Sequence, residues 1–191
     1  PYRVVYISHG MQMEKNGCEM RWMHEAAARN ILDHLAADFV LVAMNNSDFG
    51  WNFDHIWDEQ VRLMAHVEEK YNVSTEQKGR AYCGFSMGGM TTSVMYMKHT
   101  DSFGWYGIWN AAHHTMLEEM SAEEREALAE KDVKVQVAYG DWDWCMESCQ
   151  AYDRGLTEMG ITHDSLTVPG SHDWKCFSLI FAKAAQRFFF R

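Results

Sequence analysis

Apolar residues run along this 191-residue chain in two alternating rhythms. Short, nearly continuous runs rich in β-branched and aromatic side chains occupy residues 2–8 (YRVVYIS), 39–44 (FVLVAM), 80–85 (RAYCGF), 103–109 (FGWYGIW), 133–139 (VKVQVAY) and 164–168 (DSLTV). Such runs predict strands. Between them the apolar positions recur at helical spacing. Met20, Met23, Ala27, Ile31 and Leu35 predict one helix over residues 20–37, and Trp57, Val61, Met64 and Val67 predict another, capped by Asp54 and running to about Tyr71. Met90, Val94 and Met97 mark a third. The charged stretch 121–131 places Ser121 and Glu124 at capping-box spacing, and further helices are expected over residues 147–159 and 174–189.

Strand and helix alternate from end to end, without a repeat, a low-complexity tract or a linker. This order predicts a single α/β domain over residues 1–191, a parallel sheet with helices on both faces. The almost wholly apolar FVLVAM run reads as a strand covered on both sides. Composition changes this picture little: 47% hydrophobic and 23% charged residues suit a globular chain with a substantial core. A net charge of −10, with scattered Lys and Arg, argues against a nucleic-acid partner. No apolar run approaches ~18 residues, so no membrane span is expected. The five cysteines show no C-x-x-C spacing, so no zinc or other metal site is expected. Cys83, inside the third strand, reads as a buried small hydrophobe.

The chemistry is concentrated where that strand ends. Gly84-Phe85-Ser86-Met87-Gly88 fits G-x-S-x-G, the nucleophile elbow of α/β-hydrolases, and it lies between a strand and a helix as that turn requires. A serine hydroxyl needs a base within reach and a third group to orient that base. The expected chain order is Ser, acid, His. Of the histidines after Ser86, His99 ends the following helix and His163 precedes a strand at the wrong edge of the sheet. His172, in the loop PGSH after the last strand, lies at the catalytic edge. The acid is expected after VKVQVAY, in Gly140-Asp141-Trp142-Asp143. Asp143 is favoured, with Asp141 as the alternative, because Asp141 suits the turn itself. Two backbone N–H groups, those of Met87 and of Met11 after Gly10, are the expected oxyanion donors. His9 is expected to brace that loop.

With these parts in place the chain resembles the esterase D / feruloyl esterase family, carbohydrate esterases that include acetyl xylan esterases. The resemblance is carried by VVYISHG, NILDHLAA, VEEKYNVSTEQKGRAYCGFSMGGMTT, YGDWDW and PGSHDW, spread over nearly the whole chain. It implies an α/β-hydrolase fold, the triad Ser86, Asp143 and His172, and oxyanion donors at Met11 and Met87. The spacings of 57 and 29 residues between triad members resemble those of the compact members. Three features depart from the family pattern: no strands precede YISHG, the segment after VLVAMNN is short, and HGMQM stands where relatives often carry a glycine-rich loop. A smaller sheet and a more open pocket are therefore expected.

Trp109, at a strand end, and Trp142, Trp144 and Trp174, beside the acid and base, are candidate substrate-binding rings suited to a cinnamoyl group or a sugar face. The expected activity is ester hydrolysis, releasing feruloyl or acetyl groups from plant polysaccharide, with a small-molecule or oligosaccharide ester as partner and no cofactor. By the resemblance the protein is expected to be extracellular. Two alternatives stand beside this reading: an S-formylglutathione-type thioesterase, and a hydrolase-like binding protein with a silent triad. Finally, Cys145 and Cys176 both begin segments that leave the catalytic edge, which makes a disulfide between them a candidate.

Overall fold

The computed structural model describes residues 1–11, 18–45 and 51–191. Six strands, β1 (Arg3–Ser8), β2 (Phe39–Met44), β3 (Arg80–Phe85), β4 (Trp105–Trp109), β5 (Lys134–Gly140) and β6 (Asp164–Val168), form one all-parallel sheet in the order β2-β1-β3-β4-β5-β6. The expected strands at 39–44, 80–85 and 164–168 match to the residue, because turn-forming or polar residues bound each apolar run. The helices are α1 (Arg21–His24), α2 (Ala28–Leu35), α3 (Phe53–Lys70), α4 (Met87–Lys98), α5 (His114–Glu119), α6 (Ala122–Ala129), α7 (Met146–Glu158) and α8 (Trp174–Arg187).

Side chains alternate across the strands and divide the core into two layers. Val4, Tyr6, Tyr106, Ile108, Val135 and Val137 face the layer closed by α3 to α7, with Ile56, Tyr96, Leu117, Leu128 and Tyr152. Val5, Ile7, Cys83, Trp109 and Ala138 face α1, α2 and α8, with Trp22, Ala28, Phe177 and Phe181. Helices thus cover both faces, as parallel strands require.

Four expectations are corrected. Residues 20–37 do not form one helix: Ala27 adopts a left-handed conformation (φ 49°) and separates α1 from α2. The buried residue of this region is Trp22, whereas Met20 and Met23 are 46% and 39% exposed. The spacing of apolar residues was helical there, but the methionines were not the core-facing positions. The FVLVAM strand is only half-buried, because β2 is a sheet edge. Asn52, not Asp54, caps α3, its side chain accepting the His55 N–H at 3.1 Å. Val61 points to solvent and Ile56 takes its place in the buried face of α3. The Ser121–Glu124 capping box at the start of α6 is formed as expected.

Chain direction matters for function. The chain goes from β1 outward to β2, returns across β1 to β3, and then advances through β4, β5 and β6. The strand order therefore reverses between β1 and β3, and open parallel sheets place ligands at the carboxyl ends beside such a switch. Gly10 follows β1 and Ser86 follows β3, so both stand there.

Candidate active site

Ser86 joins β3 directly to α4 in a sharp turn, with φ 56° and ψ −124°. A non-glycine residue with positive φ is strained, and here the surroundings hold it. The Ser86 N–H donates to the Trp109 carbonyl at 3.0 Å, and the Ser86 carbonyl accepts the Met90 N–H at 3.0 Å. The glycines on either side are dictated by contact. A Cβ at Gly88 would lie 2.4 Å from the Ser8 carbonyl oxygen, and one at Gly84 would lie 2.7 Å from both the Ser8 oxygen and the Gly88 carbonyl carbon. The elbow can approach β1 this closely only without side chains at those two positions.

The His172 loop comes over this turn from β6. His172 Nε2 lies 2.8 Å from Ser86 Oγ, and Nδ1 lies 2.9 Å from each carboxylate oxygen of Asp143. The Asp143 side chain is fully buried, and Oδ1 also accepts the Cys145 N–H at 2.7 Å. The loop is fixed by its own hydrogen bonds. Trp142 N–H donates to the Gly170 carbonyl at 2.9 Å, and Asp141 Oδ1 accepts the Gly170 N–H at 3.0 Å. Of the two acidic residues weighed in the sequence, the structure therefore brings Asp143 to the histidine and leaves exposed Asp141 tying the β5 turn to the β6 turn. This Ser–His–Asp chain can deprotonate a serine hydroxyl and stabilise the resulting imidazolium, which is the chemistry of acyl transfer.

One residue in this network escaped sequence reasoning. Asn110, just beyond β4, is fully buried and donates its side-chain amide to Asp143 Oδ2. It also has a left-handed backbone (φ 55°), and its N–H donates to the Ala138 carbonyl at 2.8 Å. An asparagine directly after an apolar strand, one strand away from the acid, was the available signal, since asparagine tolerates this conformation.

Gly10 sits against the elbow: a Cβ there would lie 3.2 Å from Ser86 Cβ. Met11 follows with its side chain 69% exposed, while Met87, the first residue of α4, is buried. Gln12 and Met13 of HGMQM, and residues 46–50 of the short segment at VLVAMNN, lie outside the described residues. His9 is buried, with Nδ1 2.6 Å from the Gly10 carbonyl oxygen, and burial pushes its pKa below the usual histidine value.

The four tryptophans divide. Trp144 is 77% exposed and its ring lies 4.6 Å from that of His172, at the mouth of the site. Trp142 is also exposed, in the acid's turn. Trp174 is half-buried and packs edge-on against Trp22, Phe85 and Phe177. Trp109 is corrected as a substrate contact: it is fully buried among Phe181 and Phe189, with its indole N–H on Gln136 Oε1 at 3.1 Å. Its side chain leaves the strand on the α8 face, and only its backbone carbonyl reaches Ser86.

The Cys145–Cys176 disulfide is also corrected, since both thiols are free. Cys176 Sγ faces the Asn110 amide at 3.6 Å and packs against Gly140 and Gly170, while Cys145 is drawn to Asp143 by its N–H. Burial, reinforced by the Asp143 carboxylate, pushes the Cys145 thiol up to about 12. Among the described residues, Asp143, Cys145 and His172 offer potential metal-ligand atoms within 4.8 Å of one another. Asp143 and His172 are already engaged with each other through Nδ1, and burial keeps the Cys145 thiol protonated, which makes it a poor ligand.

A cavity of about 560 Å³ is walled by Met90, Ala111, His113, Trp144, Ser148 and Arg154; the triad side chains do not line it, and Trp144 links its wall to the His172 ring. This is within the size range of small-molecule sites.

Comparison with known proteins bears on the family and the fold. The family model "Esterase: Putative esterase" matches residues 1–188. An endo-1,4-beta-xylanase/feruloyl esterase of Xylanibacter ruminicola is 26% identical over 123 residues, which is 56% of this chain but only 16% of that much longer protein. Among solved structures, a ferulic acid esterase superposes with a TM-score of 0.83 at 19% identity, covering 98% of this chain and 85% of the other. An S-formylglutathione hydrolase of Staphylococcus aureus gives 0.75 at 16% identity, covering 99% and 82%. The chain belongs to this esterase family and has the α/β-hydrolase fold of its structural neighbours.

Proposed function

We propose that this esterase is a serine hydrolase that removes hydroxycinnamoyl or acetyl groups from plant cell-wall polysaccharide. The observation that carries the reading is the unbroken hydrogen-bonded chain Asp143–His172–Ser86, with the Trp144 ring against His172. Ser86 Oγ attacks the ester carbonyl as His172 Nε2 takes its proton. The backbone N–H groups of Met87 and Met11 receive the developing oxyanion, a role supported by the position of Gly10 against Ser86. Collapse of the intermediate expels the sugar alkoxide, which takes the proton from His172 and leaves an acyl-serine. Water, deprotonated by the same imidazole, then releases the acid and restores Ser86. Trp144 offers a flat apolar surface to an aromatic acyl group or a sugar ring. The feruloyl esterase names of the Xylanibacter relative and of a structural neighbour support this choice of acyl group. A polymeric substrate implies action outside the cell.

A second reading, a thioesterase acting on S-formylglutathione, is favoured by the likeness to the Staphylococcus aureus hydrolase. The test is a comparison of kcat/KM for methyl ferulate, an acetylated xylo-oligosaccharide and S-formylglutathione. Preference for either ester supports the proposal. Preference for the thioester replaces it with the second reading, and turnover of none of the three leaves the silent-triad alternative.

A further inference from the structure

At the edge of the sheet opposite Ser86, the starts of β4, β5 and β6 and the end of α8 enclose a second cavity of about 450 Å³. Lys134, Lys183, Arg187 and Arg191 line it, four of the 17 lysines and arginines in a chain of net charge −10. None of the four has an ion-pair partner among the described residues. Cations in the last turn of a helix offset the helix dipole, which accounts for Arg187 on α8. It does not account for Lys134, which enters from β5, or for Arg191, which lies beyond the helix.

The other walls show what these cations can receive. The indole of Trp105, half-buried and edge-on to Phe188 at 5.5 Å, forms an apolar side with Val135 and Leu166. The acidic and imidazole groups at the rim are already engaged. Asp164 Oδ2 accepts the Gln136 side-chain amide at 2.6 Å, and His163 Nε2 lies 3.0 Å from Asp153 Oδ1. Asp132, near Lys134, is held by Lys78 at 2.6 Å. Asp164 offsets only one of the four positive charges. Four cations and one carboxylate beside an apolar wall leave a net positive site, which receives an anion carried on a ring-bearing molecule.

We propose that this cavity binds the carboxylate of a ring-bearing molecule, with the ring against Trp105 and the carboxylate among Lys134, Lys183, Arg187 and Arg191. Two sources share that chemistry: a uronate substituent on a polysaccharide, and a free hydroxycinnamate. The site is separate from the catalytic edge, so its occupancy is read by binding and does not depend on what Ser86 hydrolyses.

The experiment follows the indole N–H resonance of Trp105, assigned with Trp105→Phe, in the Ser86→Ala protein. The probes are a glucuronate-bearing xylo-oligosaccharide, its neutral xylo-oligosaccharide counterpart, ferulate and inorganic phosphate. Saturable shifts with at least one carboxylate, with an affinity on the order of 1 mM or tighter, and weaker shifts with the neutral sugar and phosphate, support the proposal. The carboxylate that binds identifies the source. Lys183→Gln/Arg187→Gln should weaken this binding at least tenfold, and Lys134→Gln/Arg191→Gln should do the same from the other wall. In the Ser86 background both pairs should leave kcat on a small ester unchanged. Absence of saturable shifts with either carboxylate, or shifts that survive both charge-neutralised pairs, would overturn the proposal.

Discussion

The side-chain amide of Asn110 donates to Oδ2 of Asp143, and both groups are buried where β4 and β5 end side by side. The contact is one-sided, because Asn110 Oδ1 is buried without a hydrogen-bond partner among the described residues. Turning the amide over would set that oxygen against the carboxylate, so an ionised Asp143 fixes the orientation. With the Cys145 N–H on Oδ1, both carboxylate oxygens are held, and the plane offered to His172 Nδ1 is set from two sides.

Asn110 is therefore expected to act as a positioning residue. Asn110→Gly removes the donor without opposing the left-handed backbone, and a lost hydrogen bond to a charge, worth about 1.5–3 kcal/mol, should lower kcat/KM roughly 10- to 100-fold. Asn110→Asp should do more harm, because a second carboxylate would face the first, and it should displace the pH–rate profile. Rate and profile measured on both variants check this. If Asn110→Gly loses only thermal stability and keeps its rate and profile, the contact is structural alone.

The triad should behave as a unit. Ser86→Ala and His172→Ala are each expected to cost several orders of magnitude in kcat, and the double variant little more than either. Asp143→Asn should fall by about 10⁴ through loss of the correct histidine tautomer. Asp141→Asn keeps an oxygen for the Gly170 N–H and should stay within several-fold of the parent. Kinetics on a chromogenic ester decide the ranking, and the reverse order would move the acid to Asp141.

What the sequence revealed of this site, and what it concealed, follows from how local each signal is. The elbow was legible because a strained serine, close backbone approach and strand-to-helix geometry all constrain neighbouring positions, leaving G-x-S-x-G on the page. His172 and Asp143 were legible through the strands they follow, since a parallel sheet delivers every strand end to one edge. Trp109 was misread because position at a strand end does not reveal which face its ring takes. Here the ring turns to α8, where a Cβ on Gly107 would lie 2.7 Å from it. The stripe at residues 20–35 failed for a related reason: spacing cannot show that Ala27 leaves the helical region. Asn110 was concealed because its partner is 33 residues away and belongs to the next strand.

The two tryptophans should separate in experiment. Trp109→Ala empties a core position and is expected to cost about 3–5 kcal/mol of stability. Trp144→Ala, mostly solvent-exposed, should leave the melting temperature nearly unchanged while raising KM several-fold for an aromatic ester. Thermal melts and Michaelis curves on both variants read the difference. An unchanged KM in Trp144→Ala would remove this ring from the substrate surface.

His9 gives the last expectation, a dependence of stability on pH. Burial is the chief cause that lowers its pKa below 6.5 in the folded protein, while the unfolded chain keeps the ordinary value. Above about pH 6.5 the imidazole is neutral in both states and contributes no slope. As pH falls below 6.5 the unfolded chain takes up a proton that the folded protein resists. Stability should then decline by up to about 1.4 kcal/mol per pH unit, until the folded pKa is reached. His99 and His113 are lowered in the same direction, so they add to the slope. Urea melts between pH 7.5 and 5 should show the decline, and His9→Gln should flatten it in part while retaining a group able to donate to the Gly10 carbonyl. A slope identical in the two proteins would show that His9 takes up its proton without penalty in the fold.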